Sequence, residues 1–362
     1  MALARINGVR IVGIASAVPD QARYPDEFFD RFGEQEVKKI TESIGVKKRY
    51  IAASGICASD LCVAAANRLF DEGKWERESI DTVIFISQSA DYVVPFTAGL
   101  IQKRLGLTTG CAAFDVNLGC SGYVYGLWMA SSFITGGGMQ RVLLLAGDTS
   151  TTVSIEDRSV AMLFGDAGTA TIVEQTKKEG EYTFVLGTDG RGAQNMIIPA
   201  GRCRKPSSAT TRVRREDENG NRRSEEEVYM NGAEIFAFTL AEVPKMVQQV
   251  LAASGKTLET IDYVVLHQAN KFLIEYLAKR MKIPSDKVPL SLDEYGNTHS
   301  ASIPVTMTHC LREQLSRKKM DLLMGGFGIG YSWGAVNCTV GEIVMPEMIF
   351  LSSDGVGKEN IL

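Results

Sequence analysis

Long apolar runs and an excess of one charge are both missing from this sequence. No stretch of its 362 residues approaches the about 20 apolar residues that cross a bilayer. Lys and Arg number 39 against 43 for Asp and Glu, which leaves a net charge of −4. Because that balance creates no field attracting polyanions, we expect no nucleic-acid partner and no membrane partner.

Histidine is also scarce, and the cysteines show no paired pattern. The chain has three His and seven Cys, and no two Cys are spaced as C-x-x-C. A chain of this length buries a core without disulfides, and nothing indicates a zinc cluster. We therefore expect no metal site and a reducing, cytoplasmic location. Residues 1–19 lack the features of a signal peptide and are predicted to form a first strand.

The second half of the chain repeats two landmarks of the first. ESIDTVIF at 78–85 matches ETIDYVVL at 259–266, and RVLLLAGD at 141–148 matches DLLMGGF at 321–327. Each member of the first pair lies between two amphipathic helical stretches. Short Val, Ile and Leu runs that alternate with helices are typical of mostly parallel or mixed sheets covered by helices.

The repeat predicts two similar α/β halves, residues 1–178 and 179–362. Because loops at corresponding strand ends converge where such halves pack together, we expect the functional site at their join. One segment, 202–227, breaks the pattern with eight basic and six acidic side chains. This composition is typical of a solvated, partly mobile insertion, and a lid or a docking surface for an acidic partner is the alternative.

Cys120 is the first candidate for chemistry. AAFDVNL is predicted to be a strand, GCSG a tight turn, and GYVYGLWMASSFI a helix ending at Gly136. Gly119 and Gly122 permit a sharp bend, and unpaired N–H groups at the helix N-terminus favour a thiolate. From this context, Cys120 is either a nucleophile or an inert buried thiol.

Two polar residues of the second half are candidates to act with Cys120. His267 ends the predicted strand YVVLH, a position that also suits a hydrogen-bonded core histidine. Asn297 lies in a loop that the repeat places near the counterpart of the Cys120 turn. An Asn in a loop more often stabilises a turn or caps the N-terminus of a helix. The glycine-rich segment 325–336 predicts a backbone that lies very close to another group. A backbone N–H that acts as the second donor of an oxyanion hole fits this pattern.

At these residues the sequence resembles β-ketoacyl-acyl-carrier-protein synthase III and its relatives in the thiolase fold. The matching strings cover nearly the whole chain and are SAVPD at 16–20, GVKKRYIA at 45–52, FDVNLGCSGYVYGL at 114–127, FGDAGTA at 164–170, HQAN at 267–270, YGNTHSAS at 295–302 and FGIGYSWGA at 327–335. The resemblance implies a five-layered α-β-α-β-α core, a homodimer and a catalytic triad of Cys120, His267 and Asn297. Elongating synthases typically use two His with the Cys, so the Asn favours the initiating branch.

The resemblance also implies an acyltransferase of the EC 2.3.1.- type that needs no metal or redox cofactor. Cys120 takes an acyl group from acyl-CoA or acyl-carrier protein, with the backbone N–H groups of Cys120 and Ile329 holding the oxyanion. Malonyl-acyl carrier protein then loses carbon dioxide, and His267 and Asn297 donate hydrogen bonds to the enolate. The carbanion attacks the acyl-Cys120 and gives a β-ketoacyl thioester that starts fatty acid or polyketide synthesis.

Two substrate-binding candidates concern the acyl donor. By the resemblance, Arg158 retains one basic side chain of a clamp on the adenine of CoA, whereas Lys39 and Ser43 stand where well-studied members have Trp and Arg. Val94 stands where a Phe of the partner subunit can floor the acyl pocket. A smaller side chain there predicts room for a longer or bulkier primer.

Two more candidates concern the carrier protein. Phe272 stands five residues after His267, where a basic residue often helps the carrier to dock, and Lys271 beside it keeps a basic face. His299 replaces a commoner small residue, and the sequence offers no account of it. His309 lies in a run predicted to be helical, SIPVTMTHCLREQL, and is expected to serve packing or to lie on the surface.

Two other functions are open at this stage. An acyl-Cys120 can pass its group to an alcohol or an amine, with His267 as general base, as ester- or amide-forming relatives do. A non-catalytic partner or scaffold subunit is the other alternative, and the intact triad argues against it.

Overall fold

The computed structural model describes residues 1–177, 180–328 and 330–352, and within them the chain forms an α/β protein with two large sheets. The strands are β1 Ala2–Ile6, β2 Val9–Pro19, β3 Ala22–Arg23, β4 Arg49–Tyr50, β5 Thr82–Ile86, β6 Ala112–Val116, β7 Arg141–Asp148, β8 Ala167–Gln175, β9 Tyr182–Thr188, β10 Met196–Ile197, β11 Arg215–Glu216, β12 Arg222–Arg223, β13 Tyr229–Met230, β14 Tyr263–Leu266, β15 Met320–Gly328, β16 Ser332–Val340 and β17 Ile349–Leu351. The helices are α1 Phe29–Phe32, α2 Glu34–Ile44, α3 Ala58–Gly73, α4 Thr97–Arg104, α5 Gly122–Gly137, α6 Gly232–Ser254, α7 Lys271–Met281, α8 Leu292–Tyr295, α9 Ser302–Cys310 and α10 Arg312–Arg317.

The two large sheets share the order and pairing directions of four strands. The first runs β17-β2-β8-β7-β5-β6 and the second β1-β9-β16-β15-β14. In both, two antiparallel pairings are followed by a parallel one, so β2, β8, β7 and β5 correspond to β9, β16, β15 and β14. The sequence repeat therefore reflects a repeated topology. The predicted boundary between the halves falls at residues 178 and 179, outside the described residues.

Helices cover both sheets and separate them. Leu143 and Leu145 of β7 pack with α3 and α4, whereas Val142 and Leu144 face a core shared with the central helices α5 and α9 and with the second sheet. The second sheet is covered on its other side by α6 and α7. Because strands buried on both faces need apolar residues at every position, these strands read as continuous Val, Ile and Leu runs. The predicted five-layered α-β-α-β-α core is confirmed.

The N-terminal prediction of one strand is wrong. Residues 1–19 form two strands that belong to different sheets, since β1 pairs with β9 and β2 with β8. Gly8 lies between them with φ +80°, a left-handed conformation that an L side chain rarely adopts. The turn at Gly8 therefore sends the chain from one sheet to the other. At the opposite end, β17 crosses back and pairs with β2.

The charged insertion, residues 202–227, has more structure than predicted. Its strands β11 and β12 pair antiparallel, and its arginines bond to the segment that precedes β8. Arg223 contacts Asp157 at 3.0 Å and Asp217 at 2.9 Å, and Arg214 contacts Glu156 at 2.8 Å. The Asp157 side chain is fully buried. Partnered charges, which composition alone does not reveal, tie this segment to the protein body.

Two helix predictions need smaller corrections. The run predicted as one helix after residue 301 is divided at Leu311 into α9 and α10. Helix α5 ends one residue later than predicted, with Gly138 in the left-handed conformation as its cap. Within the described residues, no helix is both long and apolar enough to cross a membrane.

Candidate active site

Cys120 lies on the turn between β6 and α5, one residue before the helix N-cap. The turn is tight because the Gly122 N–H donates to the carbonyl of Gly119 at 2.7 Å. A β-carbon at Gly122 would lie 2.4 Å from a methyl carbon of Ile86, so only glycine fits there. The sequence prediction of a strand, a turn and a helix around Cys120 is confirmed.

The glycines of β15 make room for Cys120. A β-carbon at Gly328 would lie 2.7 Å from the β-carbon of Cys120, and one at Gly326 would lie 2.9 Å from the Cys120 carbonyl oxygen. The backbone of β15 therefore passes directly over the cysteine turn, as the glycine-rich segment predicted. Ile329, the predicted second oxyanion donor, lies outside the described residues.

Burial determines the pKa of the Cys120 thiol. The residue is 7% exposed, and burial, reinforced by the Asp148 carboxylate, raises the pKa of the thiol to about 12. The backbone N–H of Cys120 acts in the opposite direction and is outweighed. The expectation that the helix N-terminus favours a thiolate is therefore wrong, because burial of the sulfur outweighs it. At neutral pH the sulfur carries its proton and needs a base to release it.

His267 follows β14 directly and is held from both sides. Its backbone N–H donates to the carbonyl of Gly325 at 2.8 Å, and its Nδ1 lies 2.7 Å from the hydroxyl of Ser302. Burial, with a smaller repulsion from His299, lowers the pKa of His267 to about 3. The imidazole is therefore neutral at physiological pH. Because a hydroxyl both donates and accepts, Ser302 is compatible with either ring tautomer.

Asn297 is fixed by its backbone and by its side chain. Its N–H donates to Leu163 at 2.9 Å, and its carbonyl accepts from Gly165 at 3.0 Å. Gly296 before it has φ +67°, and a β-carbon there would lie 2.8 Å from the Leu163 carbonyl. The Asn297 Oδ1 accepts the His299 N–H at 3.0 Å, which leaves the two hydrogens of Nδ2 as donors.

One cavity of about 120 Å³ brings the three residues together. Cys120, His267 and Asn297 all line it. Its remaining wall is mainly apolar and includes Leu163, Phe164, Met196, Met230, Ile235 and Phe236. The cavity thus combines a thiol, a neutral imidazole and a carboxamide donor with a surface suited to an aliphatic group. Such a set serves nucleophilic attack on an acyl carbon and stabilisation of negative oxygen.

The four predicted substrate-binding residues do not line this cavity. Val94 is 80% exposed in the loop before α4. Arg158 donates to the carbonyl of Asn219 in the insertion at 2.6 Å. Lys271 and Phe272 open helix α7, and the Phe272 ring stacks on Phe236 with centroids 5.8 Å apart. Since Phe236 lines the cavity, Lys271 and Phe272 lie at its edge, whereas the structure places Val94 and Arg158 elsewhere.

Sequence reasoning missed two supporting residues. Ser302 bonds the catalytic candidate His267 across 35 positions of sequence. Asp148, 3% exposed at the end of β7, accepts bonds from the Gln88 N–H at 2.7 Å and the Ser300 hydroxyl at 2.6 Å. Asp148 therefore joins loops of both halves beside Cys120. Its only sequence signal is a carboxylate closing a buried strand, and Ser302 has no signal beyond the string YGNTHSAS.

Comparison with known proteins gives concordant matches. The family model described as 3-oxoacyl-[acyl-carrier-protein (ACP)] synthase III matches residues 114–190, and the model of its C terminal part matches residues 251–340. A β-ketoacyl-[acyl-carrier-protein] synthase III of Caldanaerobacter subterraneus is 34% identical over 298 residues, 82% of this chain and 87% of that protein. One from Neisseria gonorrhoeae is 32% identical over 329 residues, covering 90% and 98%.

Solved structures agree. The crystal structure of a 3-oxoacyl-(acyl-carrier protein) synthase from Burkholderia xenovorans superposes with a TM-score of 0.91 at 40% identity. The match covers 97% of this chain and 99% of that one. The similarity therefore extends over nearly the whole chain, both large sheets included.

Proposed function

Because the chain belongs to the β-ketoacyl-[acyl-carrier-protein] synthase III family, we propose that it is an acyltransferase that condenses an acyl group with malonyl-acyl carrier protein. Cys120 carries the acyl group, and the product is a β-ketoacyl thioester that starts fatty acid or polyketide-type synthesis. The observation that carries this proposal is the convergence of Cys120, His267 and Asn297 on one cavity with an apolar wall.

The first step is acyl transfer. The Cys120 sulfur bonds to the thioester carbon of the donor, and the bond from that carbon to the donor sulfur breaks. The raised pKa of Cys120 means that a base must take its proton during attack, and the neutral imidazole of His267 in the same cavity is suited to do so. The imidazolium then returns the proton to the departing thiol. Backbone N–H groups of Cys120 and Ile329 are the proposed oxyanion donors.

The second step is decarboxylation and carbon–carbon bond formation. Malonyl thioester loses carbon dioxide, and the electron pair left behind is delocalised onto the thioester oxygen as an enolate. The Asn297 Nδ2 donates a hydrogen bond to that oxygen. Neutral His267 donates a second one in the tautomer whose N–H faces the cavity, and the Ser302 hydroxyl accommodates this tautomer as well as the one that accepts the Cys120 proton. The carbanion then attacks the acyl carbon, and Cys120 leaves with its electron pair and regains a proton. Because burial keeps His267 neutral, each turnover begins with the same hydrogen-bonding groups.

The proposed reaction needs two thioester substrates and no cofactor. An acyl-CoA or acyl-carrier protein is the donor, and no metal or redox cofactor enters either step. Lys271 and Phe272 at the cavity edge are proposed to contact the carrier protein, Lys271 through charge and Phe272 through its 54% exposed ring. To contact CoA, Arg158 has to release the hydrogen bond that it donates to the Asn219 carbonyl.

A homodimer is part of the proposal. Val93 and Val94 are 77% and 80% exposed beside Phe96, which is 51% exposed, so one loop presents three apolar side chains to solvent. Covering them against a second copy removes apolar surface from water and brings Val94 towards the partner's site. The proposed location is the cytoplasm, where the seven cysteines, all free thiols in the structure, stay reduced.

Mass spectrometry of the intact protein tests the proposal. Incubation with a panel of acyl-CoA and acyl-carrier-protein donors should add one acyl mass, and Cys120→Ala should abolish the adduct. Adding malonyl-acyl carrier protein should then release carbon dioxide and yield a β-ketoacyl product. Acylation of Cys120→Ala would contradict the nucleophile assignment. An acyl-enzyme that transfers to alcohols or amines and ignores malonyl thioester would favour ester or amide formation instead.

A further inference from the structure

His299 adopts an unusual backbone conformation beside Asn297. Its φ is +52°, in the left-handed region that L residues other than Asn, Asp and His seldom occupy. Its ring stacks on the ring of Phe164, with centroids 4.5 Å apart and planes 13° from parallel. Phe164 and Asn297 both line the cavity, so His299 packs behind two of its walls.

The His299 N–H determines which way the Asn297 carboxamide faces. A backbone N–H only donates, so the atom 3.0 Å away must be Oδ1 and not Nδ2. The backbone of Asn297 is meanwhile bonded to Leu163 and Gly165 on either side of Phe164. With the main chain and Oδ1 both fixed, Nδ2 is the carboxamide atom left for a molecule in the cavity.

The ring of His299 stabilises the turn that supplies this N–H. The turn that presents this N–H includes residue 299 in a left-handed conformation, which is unfavourable for most side chains. The stack on Phe164 offsets that cost and ties residue 299 to the strand segment that also bonds Asn297. The ring nitrogen Nε2 is buried and has no hydrogen-bond partner among the described residues. Nε2 therefore does not hold the ring, whereas the stack on Phe164 does.

We infer that His299 is a positioning residue for Asn297. Its ring on Phe164 and its N–H on Oδ1 hold the carboxamide with Nδ2 turned to the cavity, ready to donate to the oxygen that becomes negative on decarboxylation. This inference rests on the proposed function for its consequence in catalysis. It assigns a role to a residue that the sequence alone did not explain. It also separates the two steps, because acyl transfer to Cys120 in the proposed function does not use the Asn297 carboxamide.

Two substitutions separate the ring from the backbone. His299→Gly permits the left-handed conformation and removes the stack, whereas His299→Phe restores a ring on Phe164. For His299→Gly we expect the kcat of malonyl-thioester decarboxylation to fall about tenfold, the fold-change that corresponds to one lost aromatic contact. KM and the rate of Cys120 acylation should change less than about twofold. His299→Phe should recover most of kcat, and His309→Gln, at an exposed histidine of α9, should match the wild type.

Three outcomes would overturn the inference. They are an unchanged kcat in His299→Gly, an equal loss of acylation and decarboxylation, and a loss of kcat that His299→Phe does not recover although that variant melts like the wild type. A crystal structure of His299→Gly provides a reading that is independent of turnover, because the Asn297 carboxamide should rotate or take more than one orientation. If the wild type itself forms no acyl adduct, the proposed function fails, and the carboxamide orientation still decides the role of His299.

Discussion

The Nδ1 of His267 and the hydroxyl oxygen of Ser302 lie 2.7 Å apart, and both side chains are buried. His267 ends a strand of the second sheet, and Ser302 begins the central helix α9. Their bond therefore joins two layers of the fold at the cavity. It also holds the imidazole ring in its orientation.

Replacing Ser302 by Ala should impair the step that depends on the orientation of the His267 ring. Nδ1 then lacks a buried partner, which costs about 1–3 kcal/mol of unfolding free energy. We expect decarboxylation to slow by about fivefold, since a lost hydrogen bond is worth about 1 kcal/mol. Urea denaturation and carbon dioxide release measure the two effects. Ser132→Ala on α5, whose hydroxyl donates to the Trp128 carbonyl one helical turn away, is the matched control and should change neither.

The raised pKa of Cys120 predicts how its alkylation depends on pH. Because the thiol stays protonated up to about pH 12, the iodoacetamide rate at Cys120 should rise continuously between pH 6 and 9. The mass of the peptide containing Cys120, followed with time at each pH, gives the rate. In urea the rate should instead level off above the ordinary cysteine pKa of about 8.5. A plateau near pH 7 in the folded protein would show that burial does not dominate.

The lowered pKa of His267 predicts a loss of stability in acid. The group has a pKa of about 3 in the folded protein against about 6.5 for an ordinary histidine, so the unfolded chain binds more protons between these pH values. Its contribution is present above pH 6.5 and is lost as the pH falls towards 3. Between pH 7 and 5 the loss is about 2 kcal/mol. Urea unfolding at pH 7 and pH 5 measures this loss in the wild type and in His267→Gln. The unfolding free energy of the wild type should fall by about 2 kcal/mol more than that of the variant, and equal falls would contradict the prediction.

Gly328→Ala should damage the Cys120 turn. The new β-carbon would lie 2.7 Å from the β-carbon of Cys120 and 3.2 Å from its sulfur, so the turn or β15 must shift. We expect a loss of about 1–3 kcal/mol in unfolding free energy and strongly reduced acylation. Gly136→Ala on α5 meets no atom within 4 Å and should leave acylation unchanged, so a comparable defect there would contradict the steric explanation.

The insertion offers a test of buried against exposed ion pairs. Arg223→Ala leaves the fully buried Asp157 without its counter-charge and should cost about 3 kcal/mol of unfolding free energy. Arg222→Ala removes a 51% exposed guanidinium 3.1 Å from Glu156 and should cost less than about 1 kcal/mol. Thermal or urea unfolding of both variants measures the difference. Equal effects would mean that the burial of Asp157 does not matter.

Much of the fold was predictable because its signals are local. Glycines around Cys120 and Gly296 mark turns that only glycine allows, and the recurrence of ESIDTVIF as ETIDYVVL marks two equivalent parallel strands. The separation of β1 from β2 was not predictable, because both segments are good strands and only the pairing partners differ. The contacts of the insertion were not predictable either, because Glu156 and Asp157 lie far from it in sequence.

By itself the sequence determined the residue types of the candidate site, their order along two repeated units, and the family resemblance. Only the tertiary structure decided which of these groups carry a proton and which residues hold them in place. Cys120 sits at a helix N-terminus, yet burial beside Asp148 outweighs that environment and keeps its proton on sulfur. The same burial removes the proton from His267, and Ser302 and His299 act on their neighbours through contacts formed by folding. Desolvation depends on everything that packs around a group, and no string of neighbours in sequence carries that information.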